Sequence, residues 1–134
     1  MIEMTIETHQ RREMVDITAK ITAALARARI EDGVCHIFVP HTTAAVVINE
    51  NADPDVVHDL LSAWGKLVPP IRFAHAEGNS DAHFLSSVLG PSLFVPVAGG
   101  RLLLGTWQGV FFVELDGPRS RHVRLTCIQA QPTI

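Results

Sequence analysis

Two histidines, His75 and His83, stand eight residues apart in the stretch Phe73–Gly90, with Glu77, Asn79 and Asp81 between them. Gly78-Asn79-Ser80 is a turn signal, because glycine and asparagine tolerate backbone conformations closed to bulkier residues. Phe84, Leu85, Val88 and Leu89 then recur at helical spacing, and Gly90-Pro91 reads as a helix stop. The pattern predicts a strand end, a polar loop and a short helix whose amino terminus faces the loop. Unpaired N–H groups at that terminus suit an anion held among the histidines. An ordinary loop with two solvated histidines has the same composition.

Further polar residues occur where strands should end. Pro40 lacks a donor N–H and interrupts the apolar run before it, which puts His41 at a strand end with the hydroxyls of Thr42 and Thr43 beside it. The next run delivers Asn49 and Glu50 at its far end. Glu50 lies in the polar cluster Asn49-Glu50-Asn51 next to apolar residues, a setting that raises a carboxyl pKa toward the range of a general base. It reads equally as a surface turn acid. Glu77 and Asp81 compete with it as base, as a partner that orients an imidazole, or as a metal ligand. Trp107 and Gln108 lie between Gly105 and Gly109, where a backbone or ligand can approach closely. Trp107 is suited to stack on a flat ring whose edge Gln108 hydrogen-bonds, and equally to fill a core. Arg119, Arg121 and Arg124 suit a phosphate or a solvated strand face. Three imidazoles (His41, His75 and His83) with an open position make a typical divalent-metal site, usually zinc. Their spacing alone does not demonstrate convergence, since no two form a short helical pair.

Several of these motifs occur together: Pro40-His41-Thr42-Thr43-Ala44-Ala45, Asn49-Glu50-Asn51-Ala52-Asp53-Pro54, His75-Ala76-Glu77-Gly78-Asn79, Ser80-Asp81-Ala82-His83 and Gly105-Thr106-Trp107-Gln108-Gly109. In this order they resemble the YjbQ family, whose members are called secondary thiamine-phosphate synthases. The resemblance runs from the first strand to about Thr126. Ser80 stands where the family more often has glycine, and every ionisable residue of the segment is in place. The resemblance implies a divalent metal, zinc, on His41, His75 and His83. Catalytic roles fall to Glu50, Glu77 and Asp81, and substrate binding to Thr42, Thr43, Asn49, Asn79, Trp107, Gln108 and Arg119. The implied reaction joins a pyrimidine diphosphate to a thiazole phosphate with loss of pyrophosphate. The chain has no glycine-rich phosphate loop and no DDxxD-like acidic pair, which suits a secondary activity. Metal-assisted hydrolysis with Glu50 activating a water, and a non-catalytic metal- or ligand-binding oligomer, are the rival readings.

The frame that must position these residues is one α+β domain spanning 1–134, the size of a chain that can bury a sizeable core. Hydrophobic residues make up 47%, which argues against disorder. A formal charge of −3 gives no reason to expect nucleic acid. No apolar run approaches the roughly 20 residues of a membrane helix, and Ile2, Met4 and Ile6 already begin an alternating strand where a signal peptide would stand. Cys35 and Cys127 lie in apolar alternating runs and read as buried thiols in a reducing compartment, not as a disulfide framework, so the expected location is cytoplasmic.

In chain order, a strand from Ile2 and another over Glu13–Ile17 precede a helix with Ile21, Ala24, Leu25 and Ala28 on one stripe. Val34–Val39 reads as a buried strand, with His36 a hydrogen-bonded core or sheet residue. After Ala44–Asn49, Asp53-Pro54 starts a helix whose core stripe is Val57, Leu60, Leu61, Trp64 and Val68, leaving His58 outside the site. Beyond Pro91 the expected structure is a meander of antiparallel strands: one ending at the Gly99-Gly100 hairpin, one over Leu102–Trp107, one over Gly109–Leu115 and a last through Val123, Leu125 and Cys127. Helices would cover one side. The runs Leu102–Leu104 and Val110–Val113 are apolar on consecutive residues, so both their faces should be covered. With only three short helices available, a homotrimer, which the resemblance also implies, is the expected source of that cover.

Overall fold

The computed structural model describes residues 1–131. Its elements are β1 (Ile2–Glu7), β2 (Glu13–Asp16), α1 (Thr18–Ala28), β3 (Gly33–Phe38), β4 (Ala44–Glu50), α2 (Pro54–Leu67), α3 (Ser80–Leu89), β5 (Ser92–Ala98), β6 (Arg101–Leu102), β7 (Gln108–Glu114) and β8 (Ser120–Gln129). All strand pairs are antiparallel. A five-stranded sheet has the order β1-β8-β3-β5-β6, and a three-stranded sheet the order β2-β7-β4. Three helices and two antiparallel sheets make this an α+β domain.

The principal core lies between the sheets. Met4, Ile6, Cys35, Ile37, Val95, Val123 and Leu125 face it from the larger sheet, Val46, Val110 and Phe112 from the smaller, and Ile21 and Leu25 from α1. A second cluster covers the other face of the smaller sheet, where Ala45, Val113 and Leu115 meet Ala82 and Leu85 of α3. Burying each large apolar side chain contributes about 1.5–3 kcal/mol.

This arrangement corrects the meander. β7 leaves the company of β5 and β8 and pairs with β2 and β4 instead. Both faces of its apolar run are thus covered within one chain, Phe112 by the principal core and Val113 by α3, so Phe112 no longer asks for a neighbouring subunit. The strand expected over Leu102–Trp107 stops at Leu102, because Gly105 to Gln108 form a turn in which the Gln108 N–H donates to the Gly105 carbonyl. The stripe of α2 is only half-buried, and no residue of that helix is fully buried. The buried face of α3 is Ala82, Leu85 and Ser86, with Val88 exposed.

Local signals hold where the physics is local. The Asp53 side chain accepts from the Asp55 N–H at 2.9 Å with Pro54 in the first turn of α2. Gly99 and Gly100 both take positive φ at the β5–β6 turn. His36 lies on the outer face of the larger sheet, stacked on Phe94 with ring centroids 4.6 Å apart.

Candidate functional site

β3 belongs to the larger sheet and β4 to the smaller, so the link Val39–Thr43 spans the mouth of the sandwich. Val39 still bonds through its N–H to the Pro91 carbonyl, whereas Pro40 has no N–H and the ladder ends there. His41, Thr42 and Thr43 are left at the opening. The loop between α2 and α3 brings His75, Glu77 and Asn79 to the same place, the first turn of α3 adds His83, and the chain entering β8 adds Arg119 and Arg121. Together with Pro40 these residues line a cavity of about 470 Å³. An adjoining cavity of about 560 Å³ shares His41, Thr42 and His83 and is walled by Phe38, Val39 and Pro91. The pocket therefore has a basic half and an apolar half.

Arg121 is only 4% exposed and its partner Glu114 is fully buried. Arg121 Nε donates to Glu114 Oε1 at 2.9 Å and Nη2 donates to Oε2, while Nη2 also reaches the Thr43 hydroxyl at 2.9 Å. Thr8 Oγ1 and the N–H groups of Leu115 and Asp116 donate to the same carboxylate. Burial alone would push the Glu114 pKa up, but the hydrogen bonds from Arg121, Thr8 and Asp116 outweigh it and hold the carboxyl below its ordinary value. The pair fixes a guanidinium at the pocket wall with two of its nitrogens committed.

A second carboxylate organises the rim. Asp116 Oδ2 accepts from Asn79 Nδ2 at 3.0 Å and from Arg119 Nη2 at 2.9 Å. Burial raises its pKa, and these two donors more than reverse the effect, leaving it below the usual value. Asn79 is thereby a clamp between the histidine loop and the strand turn.

His41 Nε2 accepts the backbone N–H of His122 at 2.9 Å. Burial and the nearby charge of Arg121 lower the His41 pKa, so the ring is neutral near pH 7. A neutral imidazole whose Nε2 lone pair is taken carries its proton on Nδ1, and His41 is then a hydrogen-bond donor. The rings of His75 and His83 approach edge to face with centroids 5.6 Å apart, and His75 Nε2 lies 3.7 Å from Glu77 Oε2. Two imidazoles in that relation suit a shared divalent ion, while His41, with one nitrogen accepting and the other protonated, does not suit the third position. Among the described residues no three His, Cys, Asp or Glu side chains are arranged together to hold a metal ion.

The remaining expected residues lie elsewhere in the chain. Glu50 pairs with Gln108 and Asn49 with Gly109 at the far end of β4, six steps or roughly 20 Å from Ala44. Asn51 donates its N–H to the Trp107 carbonyl there. Asn49, Glu50, Trp107 and Gln108 thus form a separate group, outside the histidine pocket of their own chain. Trp107 is 62% exposed, so it does not fill the core. Asp81 is held by Arg11 at 2.9 Å and Arg12 at 2.6 Å, which makes it the anchor of a salt bridge beside the pocket. Glu114, Thr8, Asp116 and His122 were not anticipated. The available signal was Glu114 at the end of the apolar run Val110–Val113, a charge where only a paired one is tolerated.

Residues 2–130 match the protein family described as UPF0047 protein YjbQ-like. UPF0047 protein MJ1081 of Methanocaldococcus jannaschii is 49% identical over 123 residues, covering 91% of this chain and 89% of that protein. UPF0047 protein YugU of Bacillus subtilis is 48% identical over 120 residues, covering 88% and 91%. Among solved structures, an uncharacterized conserved protein of the yjbq/upf0047 family from Clostridium acetobutylicum superposes with a TM-score of 0.91 at 43% identity, covering 96% of this chain and all of that one. A YbjQ-like protein of unknown function from Sulfolobus solfataricus gives 0.90 at 35% identity, covering 96% of each.

Proposed function

This chain belongs to the YjbQ-like UPF0047 family, and from that premise we propose that its basic pocket binds a phosphorylated small molecule and acts on it, with thiamine-phosphate synthesis as a secondary activity. The observation that carries the reading is the convergence of His41, His75, His83, Arg119 and Arg121 on one cavity whose only carboxylate among the described residues is Glu77. An anion is the natural occupant of such a place. Arg121, held rigid by Glu114, meets phosphate oxygens without having to be ordered on binding. His41 donates from Nδ1, and the Thr43 hydroxyl, already accepting from Arg121, has its own proton to give. Arg119 faces the same charge from the rim. The apolar half of the cavity accommodates the uncharged body of the ligand.

Proton transfer falls to Glu77, the carboxylate that lines the pocket among the described residues and lies 3.7 Å from His75 Nε2. A divalent ion, zinc by the resemblance, would be held by His75 and His83, and when bound would supply further charge neutralisation for phosphate oxygens.

The same reading makes the chain one subunit of a homotrimer. What supports this is the outer face of the larger sheet, where Phe94 is 67% and Ile128 60% exposed beside the stacked ring of His36. Among the described residues no element covers that face.

The test is calorimetric titration with a phosphomonoester and with pyrophosphate, alongside an assay for thiamine phosphate. Binding should compete with inorganic phosphate and weaken in Arg119→Gln. Failure of both phosphate compounds to bind the metal-loaded and metal-free protein would overturn the reading.

A further inference from the structure

Cys35 and Cys127 are register partners on adjacent central strands, β3 and β8. Which kind of pair they form follows from the ladder. The Ala130 N–H donates to the Asp32 carbonyl at 2.9 Å, so these two residues, directly beyond the Gly33–Gln129 pair, are a hydrogen-bonded pair. Hydrogen-bonded and non-hydrogen-bonded pairs alternate along an antiparallel ladder. Counting inward, Gly33–Gln129 is non-hydrogen-bonded, Val34–Ile128 hydrogen-bonded and Cys35–Cys127 non-hydrogen-bonded. The other edge of β3 agrees, since the Val39 N–H points to Pro91 in the direction of β5, as every odd-numbered residue of that strand must. Non-hydrogen-bonded partners have Cα atoms roughly 4.5 Å apart with side chains close together, inside the roughly 4.4–6.8 Å that a disulfide spans.

Both side chains also point the same way. Cys35 is fully buried in the principal core, and Cys127 is half-buried against that core, on the face shared with Val123 and Leu125. Both are free thiols.

We propose that Cys35 and Cys127 are a thiol–disulfide exchange site that closes to a reversible cross-strand disulfide with a low-molecular-weight disulfide such as oxidised glutathione as co-reactant. The Cys127 thiolate, the more accessible, attacks one sulfur of the oxidant and expels the first glutathione thiolate, leaving a mixed disulfide. Cys35 then loses its proton, attacks Cys127 Sγ and expels the second glutathione. Two cysteine thiols are oxidised by two electrons, and one disulfide is reduced to two thiols that take up the two protons. Burial, reinforced by the neighbouring Cys127 thiol, pushes Cys35 up to about 12, so closure is the slow step and accelerates with pH. The site is independent of the basic pocket and of any ligand there.

The experiment incubates the intact protein in buffers of increasing oxidised-to-reduced glutathione ratio, quenches with N-ethylmaleimide and reads intact mass and a non-reducing peptide map. The expected product is a monomeric chain lighter by two hydrogens, with Cys35 and Cys127 in one linked peptide pair and Tm raised by roughly 5 °C or more. Its rate of closure should rise about tenfold per pH unit between about pH 7 and 9. Cys35→Ser, checked for folding by circular dichroism, should stop at a single glutathione adduct on Cys127. A wild-type end product that keeps glutathione on Cys127 with Cys35 alkylatable, or linkage only between chains, would overturn the proposal, as would two untouched thiols in fully oxidised glutathione.

Discussion

The backbone N–H of His122 donates to His41 Nε2 at 2.9 Å, and this contact decides which nitrogen of His41 is available to a ligand. The consequence reaches the whole pocket, because it turns one of three similar imidazoles into a donor and leaves the other two free to accept.

The first prediction concerns acid stability. Burial, then the charge of Arg121, lower the His41 pKa below its ordinary 6.5, so the unfolded chain takes up a proton at higher pH than the folded one. His41 therefore contributes stability that is complete above that ordinary value and is lost as pH falls through it toward the lowered one. Urea unfolding between about pH 7.5 and 5 should show wild type losing more stability than His41→Gln. Parallel curves would remove His41 as the cause.

Glu114 and Arg121 should behave as a unit. Glu114→Gln or Arg121→Met leaves a buried charge without its partner and should cost about 3–5 kcal/mol in chemical denaturation. The double variant Glu114→Leu with Arg121→Met should recover most of that loss while binding no phosphate. Additive losses would show that the two side chains act independently.

Metal content separates the histidines. Plasma mass spectrometry of the purified protein should find about one divalent ion per chain, lost in His75→Ala and His83→Ala and retained in His41→Gln. Equal loss in all three would return His41 to the ligand set.

Glu50 offers a sharp choice between one chain and several. Within one chain it lies too far from the histidines to take a proton, so Glu50→Gln should leave phosphate affinity and turnover unchanged. A fall of about 10²–10⁴-fold in turnover with affinity intact would mean that a neighbouring subunit supplies the base.

Assembly can be checked by sedimentation velocity at low micromolar concentration. Wild type should run as a trimer, and Phe94→Lys with Ile128→Lys should dissociate it without unfolding. A wild-type monomer would show that the outer sheet face needs no neighbour.

Much of this architecture can be read from the residues, and the failures have a common origin. Asp53-Pro54 and Gly99-Gly100 announce a helix start and a hairpin because the forces involved act within a few residues. The period-two alternation that puts Val123 and Leu125 inside puts Arg121 inside as well, so its burial was legible in the alternation, against the solvated strand face offered for it. Its partner was not, because Glu114 is reached only when β7 and β8 join different sheets. The distance of Glu50 from the histidines of its own chain was hidden in the same way. Its polar neighbours look like a site wherever the strand points, and only the pairing of β4 with β7 shows that its seven residues carry Glu50 away from His41.

β8 lies between β1 and β3, pairing Ile2 with Leu125 on one side and Cys35 with Cys127 on the other. During synthesis β1 leaves the ribosome long before β8, and among the described strands it has no neighbour in its sheet until β8 follows it. Until then β1 waits with its ladder groups unsatisfied, while the β4–β7 pair can already form. A nascent chain stalled before Ser120 would expose the edges of β1 and β3 together, and that is the species a chaperone would have to shield.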